Sequence, residues 1–95
     1  MPVFALIGWD VADSAALRAE HRPAHIEGLE ALVAAGRVRQ AGPLLDPEGV
    51  PCGSLVIFEA ESRADAEALA ASDPYVVHGV FARHEVHETK VVLPG

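Results

Sequence analysis

Val3-Phe4-Ala5-Leu6-Ile7-Gly8-Trp9 and Ser54-Leu55-Val56-Ile57-Phe58-Glu59-Ala60 are the two stretches that decide the fold. In the first, Val3, Ala5, Ile7 and Trp9 fall on one alternation and Phe4 and Leu6 on the other. In the second, Leu55, Val56, Ile57 and Phe58 are apolar on both. A half-exposed strand alternates apolar with polar; a strand covered on both faces reads as a continuous apolar run. Both segments are therefore predicted to be doubly covered strands.

Between them, Asp10 to Ser14 is a polar turn, and Asp13 or Ser14 offers a cap to the helix that follows. Ala15 to Ala35 is helical in composition but contains Pro23, which costs about 3 kcal/mol in a helix interior and little in a first turn. The expectation is a short lead-in over residues 15–21 and a main helix from about Pro23 to Ala35, ended by Gly36. Ile26, Leu29, Leu32 and Val33 form its core stripe, with His25 at the stripe's edge. Arg37 to Ala41 reads as a short polar edge strand broken by Gly42-Pro43, and residues 44–53 as a wide loop.

After the second apolar strand, Ser62-Arg63-Ala64-Asp65 resembles a capping box and opens a helix that runs through Ser72 and is stopped by Pro74. Residues 74–79 form one further turn closed by Gly79. Val80 to Leu93 reads as a long fourth strand, with Arg83, Glu85 and His87 on its polar side. The order is βαββαβ, an α+β ferredoxin-like plait with a four-stranded antiparallel sheet and helices on one face. In that topology the first and third strands are central, in agreement with their double apolar pattern. The uncovered face is also apolar and predicts a homodimer through the open sheet face.

Composition sets the outer bounds. The 95 residues suit one domain, residues 1–95. A chain so short buries only roughly 60–65% of its extended surface. Yet 51% of it is hydrophobic and its mean hydropathy is +0.23, an excess that a second subunit would absorb. No apolar run approaches the ~20 residues of a membrane span. The first residues lack the basic flank and small-residue cleavage site of a signal peptide. The single cysteine, Cys52, rules out an intrachain disulfide framework, and a reducing cytoplasmic location is expected. A net charge of −7 with no run of Lys or Arg argues against nucleic acid and anionic membranes, leaving a small-molecule ligand.

Arg22-Pro23-Ala24-His25, Ala41-Gly42-Pro43, Gly53-Ser54 and Ser72-Asp73-Pro74-Tyr75 with Gly79 follow one another in an order and spacing that resembles the YciI-like (YCII-related) family of small dimeric α+β barrel proteins. The resemblance implies a ferredoxin-like subunit that dimerises through its sheet. It also implies a His–Asp pair lining a pocket, which by position is His25 and Asp73. A dehydrochlorinase of aromatic degradation resembles the family, and muconolactone isomerases and cofactor-free monooxygenases are related barrels. Fold alone therefore does not name the reaction.

Each candidate has a chemical and a structural role open to it. Histidine titrates near neutrality, so His25 suits a general acid or base; it could equally be a core-edge residue bonded to backbone. Asp73, before a proline, is a good N-cap, and its second oxygen could orient His25. Arg22 could hold a substrate carboxylate or be solvated. Trp9 and Tyr75 could wall a planar ligand, core packing being the leading role for Trp9; Gly42 and Pro43 could shape the rim or simply end a strand; and Ser54 is placed near the pocket by the resemblance. The histidines show no metal pattern: Pro23 interrupts His21 and His25, and His84 and His87 fall on opposite strand faces. The leading expectation is a cofactor-free lyase or isomerase with His25 as acid/base and Asp73 as its orienter; the alternative is a non-catalytic ligand-binding or accessory dimer using the same pocket.

Overall fold

The computed structural model describes residues 1–94, so Gly95, the last residue of the predicted domain, lies outside the described residues. Its elements are β1 (Val3–Asp10), α1 (Ala15–Ala34), β2 (Val38–Leu45), β3 (Pro51–Glu59), α2 (Arg63–Ser72), α3 (Pro74–Val77) and β4 (Phe81–Thr89). The strands form one antiparallel sheet in the order β2-β3-β1-β4, the ferredoxin-like plait with the two apolar strands at its centre.

Register explains the double pattern. Phe4 pairs with Phe58 and Leu6 with Val56, and these four pack with Ala66, Ala70 and Leu29 under the helices. Burying each such side chain contributes about 1.5–3 kcal/mol. The other alternation pairs Ala5 with Ile57 and Ile7 with Leu55 on the face that no helix covers. On β4, His87, Glu85 and Arg83 stand opposite Ala5, Ile7 and Trp9 and give that face a polar border.

Several expected boundaries shift. Helix α1 runs unbroken through Pro23, so the predicted division at that residue is wrong. Pro23 and Ala19, whose carbonyl loses its intrahelical donor there, are both exposed, so water can satisfy the freed oxygen. Gly42-Pro43 does not end β2, because an edge strand can turn a residue without an N–H outward. The predicted loop over residues 44–53 shrinks to a tight turn in which the Asp46 carboxylate accepts from the N–H groups of Glu48 and Val50. Strand β4 stops at Thr89, not Leu93, and Val33 is 57% exposed instead of joining the core stripe. Ser14 sits at the N-cap of α1 without capping it through its side chain. The capping box at Ser62 forms as expected, its hydroxyl accepting from the Asp65 N–H at 3.1 Å.

Candidate active site

Because α1 is continuous, Arg18, Arg22, His25 and Leu29 recur at helical spacing on one face. That face overlooks the start of β3 and the middle of β2, and the space between is a cavity of about 310 Å³. Its lining includes Arg18, Arg22, His25, Gly42, Pro43, Ser54 and Tyr75. The predicted site residues Arg22, His25, Gly42, Pro43, Ser54 and Tyr75 are thus brought together.

Asp73 reaches His25 from behind. It sits between α2 and α3 in extended backbone, with Pro74 as the first residue of α3, and its Oδ1 caps that turn by accepting the Tyr75 N–H at 2.8 Å. Both of its oxygens also lie within bonding distance of His25 Nδ1, at 2.9 and 3.0 Å. A carboxylate only accepts, so the neutral ring carries its proton on Nδ1 and presents a lone pair at Nε2. His25 is 7% exposed, yet no buried side-chain nitrogen or oxygen lacks a partner among the described residues. Nε2, which has none, is therefore on accessible surface. Tyr75 packs flat against the imidazole, with centroids 3.9 Å apart and planes 8° from parallel. Burial raises the Tyr75 phenol above its ordinary value of 10.0, although Arg18 and Arg22 pull the other way.

Arg18 and Asp10, which the sequence reading passed over, form the other half of the cavity. Arg18 Nε donates to Asp10 Oδ2 at 2.6 Å and Nη2 to Oδ1 at 2.9 Å, with side chains 12% and 3% exposed. Ser14 donates its hydroxyl to the same carboxylate at 2.5 Å, which is why it leaves the helix uncapped. Nη2 also reaches the Gly53 carbonyl at 2.6 Å and Ser54 Oγ at 3.0 Å, its two N–H groups being shared among three acceptors. Burial disfavours the Arg18 charge, but the hydrogen bonds and negative charge of Asp10, together with Tyr75, outweigh it, and the pKa is raised overall. Nη1 has no protein partner among the described residues and, by the same reasoning as for Nε2, is accessible. Ser54 accepts from Arg18, so its own hydroxyl proton is left to donate. The signal for Arg18 was its position seven residues before His25, two turns along one face, which Pro23 masked by suggesting a break.

Trp9 is not part of this cavity. By register it stands beside Gly53 on the uncovered face, where the Arg83 guanidinium lies 5.6 Å from its ring. The parity that makes β1 apolar on both sides sends Phe4 and Leu6 toward the helices and Trp9 away from them. His21 and His78 stack at 4.1 Å, and no three His, Cys, Asp or Glu converge among the described residues. None of the described helices is long and apolar enough to cross a membrane.

Comparison with known proteins bears on the family and the fold. The YCII-related domain family matches residues 3–90. Protein YciI of Escherichia coli O6:H1 (strain CFT073) is 38% identical over 97 residues, a match covering 96% of this chain and 99% of that protein. Protein YciI of Shigella flexneri matches with the same figures, 38% identity and coverage of 96% and 99%. Among solved structures, 5-chloro-2-hydroxyhydroquinone dehydrochlorinase (TftG) from Burkholderia phenoliruptrix AC1100, in complex with 2,5-dihydroxybenzoquinone, superposes with a TM-score of 0.82. It is 29% identical, and the match covers 93% of each chain.

Proposed function

This chain belongs to the YCII-related family, and from that premise we propose that it is a cytoplasmic enzyme that moves a proton on a small cyclic or carbonyl-bearing molecule, using His25 and Asp73 in place of a bound cofactor. The observation that carries the reading is the convergence of an oriented base and a partly buried cation on one cavity of about 310 Å³.

His25 Nε2 is the group that takes the proton. Asp73 holds the ring in the tautomer that leaves Nε2 free and balances the imidazolium as it forms, the part an orienting carboxylate plays in a catalytic triad. Proton removal leaves negative charge on the substrate, and an oxygen bearing it would meet Arg18 Nη1 and the Ser54 hydroxyl. Donors fixed in advance at such a position are worth about 3–4 kcal/mol each in acyl-transfer enzymes. Asp10 keeps Arg18 aimed.

The likeness to a dehydrochlorinase favours elimination of hydrogen chloride from a chlorinated quinol. A hydroxyl proton passes to His25 as the adjacent chlorine-bearing carbon takes up a proton, giving a dienone whose ring carbon holds both hydrogen and chlorine. A second hydroxyl proton then leaves, its electron pair forms the second carbon–oxygen double bond, the ring double bond shifts, and chloride departs with the carbon–chlorine pair, so that one proton and one chloride are lost overall. The test is chloride release from 5-chloro-2-hydroxyhydroquinone, together with binding of 2,5-dihydroxybenzoquinone. Turnover should fall by about 10²–10⁴ in His25→Gln. Full turnover in that variant refutes the role of His25; tight binding with no product supports the non-catalytic reading instead.

We also propose that the uncovered face, with Ala5, Ile7, Leu55 and Ile57 at its centre, pairs with a second copy of this chain. A stable monomer in sedimentation velocity at low micromolar concentration would contradict this.

A further inference from the structure

Helices α1 and α2 cover the same sheet face, α1 making its main helix contact with the short α3, and residues of both α1 and α2 line a space left between α1 and α2. The gap between them is a second cleft, of about 230 Å³. Val56 and Phe58 of β3, Leu32 of α1 and Leu69 of α2 line it, with His25 and Asp73 also among its lining. His25 and Leu29 line both this cleft and the cavity that holds Arg18, so the two spaces adjoin across the imidazole.

Gly28 supplies a separate observation. It lies within α1 and in the cleft wall, and nothing lies within 4 Å of where its side chain would begin. A glycine inside a helix costs about 1 kcal/mol relative to alanine. No close approach and no positive φ requires one at this position. A side chain at this position would therefore occupy open space beside the cleft. An engineered, enclosed cavity of about 150 Å³ lined by Leu, Ile and Phe binds benzene; the cleft here is larger and mainly apolar, and it is open to solvent along one side.

We propose that the α1–α2 cleft is a second compartment of the binding site, which takes an apolar arm the size of one aromatic ring. The head of the same ligand, carrying the oxygen that becomes charged, lies at Arg18 and Ser54; this half of the proposal rests on the function proposed above. The ligand class is then a quinol or carbonyl compound that carries an aryl arm, of which a bare-ring quinol fills the head compartment alone. His25 stands at the junction of head and arm, where a proton is lost.

The test uses ¹³C-methyl NMR with two probes, benzene for the cleft and 2,5-dihydroxybenzoquinone for the head. In the wild-type protein, benzene should shift the methyl signals of Leu32, Leu69 and Val56 and give intermolecular NOEs to them. In Gly28→Leu, whose side chain grows into the gap, those shifts and NOEs should vanish while a circular dichroism melt shows the fold retained. Absence of benzene NOEs in the wild type, or their persistence in a folded Gly28→Leu, overturns the cleft. If Gly28→Leu does not fold, the wild-type NOEs decide alone. Failure of the wild type to bind 2,5-dihydroxybenzoquinone overturns the shared head group and the preceding reading with it. That outcome is distinct from a loss of benzene contacts, which overturns the cleft alone.

Discussion

Replacing Asp10 by asparagine keeps the shape of the side chain and removes the charge that Arg18 contacts. The carboxylate receives Arg18 Nε, Arg18 Nη2 and Ser14 Oγ. An asparagine offers one oxygen to these three donors and turns an NH₂ group toward the rest. Asp10 is 3% and Arg18 12% exposed at the side chain, so the guanidinium is left largely buried without a counter-ion. Breaking one partner of a buried pair costs about 3–5 kcal/mol. The retained acceptor puts the expected loss near the lower end, about 3 kcal/mol. A domain of this length has a total stability of roughly 5–14 kcal/mol, so the variant stays folded but is much weakened. At about 4–8 °C per kcal/mol, the melting temperature should fall by about 12–24 °C. Urea unfolding followed by far-UV circular dichroism measures the loss directly, as a lower midpoint with unchanged slope. A loss below about 1 kcal/mol would place the pair in the surface class and refute the argument. The double variant Asp10→Leu/Arg18→Met should recover part of the stability, because no charge remains to be buried while the Ser14 hydroxyl and the Gly53 carbonyl lose their partners. It should not recover substrate turnover, since the cation facing the cavity is gone.

Gly28→Ala should stabilise the protein by up to about 1 kcal/mol in the same urea assay, since the new methyl group meets no neighbour and alanine favours the helix; a loss would mean that α1 needs the glycine for packing. Gly8→Ala should destabilise by roughly 1–3 kcal/mol, because a Cβ there would overlap the Phe81 ring, and Phe81→Leu should relieve part of that cost. The raised Tyr75 pKa has an alkaline signature. Between its ordinary value of 10.0 and its higher folded value, the native state keeps a proton that the unfolded chain has released. Its stabilising contribution is therefore complete below 10.0 and is lost as pH rises through the folded value. Stability measured from about pH 9 to about pH 11.5 should fall more steeply in the wild type than in Tyr75→Phe, and equal slopes would refute the shift.

The fold was legible where a single physical cause acted on a single segment. The double apolar pattern of β1 and β3 marks central strands because each alternation meets its own apolar surroundings. Ser62 and Gly36 mark helix ends because capping and positive φ are local requirements. Misreadings fell where tertiary position changed the cost of a residue. Pro23 breaks a helix when its freed carbonyl is buried, but here that turn is exposed. Pro43 breaks a strand when its missing N–H faces a neighbour, but β2 is an edge. Neither fact can be read before the sheet order is known. Trp9 shows the converse error, in which an aromatic at the end of a central strand suggested a pocket wall until parity placed it on the other face.

For the site, the decisive difference lies between residues joined by one element and residues joined by the fold. Arg18, Arg22 and His25 share a helix face, so their convergence needs only that α1 be continuous. Asp73 meets His25 across 48 positions, and the cap it makes for α3 is what fixes its carboxylate in place. Asp10 likewise lies where the pairing of β1 with β4 shifts register, and from there it grips Arg18. Each carboxylate thus combines a structural bond with an orienting one, and removing either confounds stability with chemistry. The groups left free of structural duty are Nε2 of His25, Nη1 of Arg18 and the hydroxyl proton of Ser54. These three face accessible space or lack a protein acceptor, and substitutions that alter them while preserving Asp10 and Asp73 are the ones that will separate what the cavity does from what holds it together.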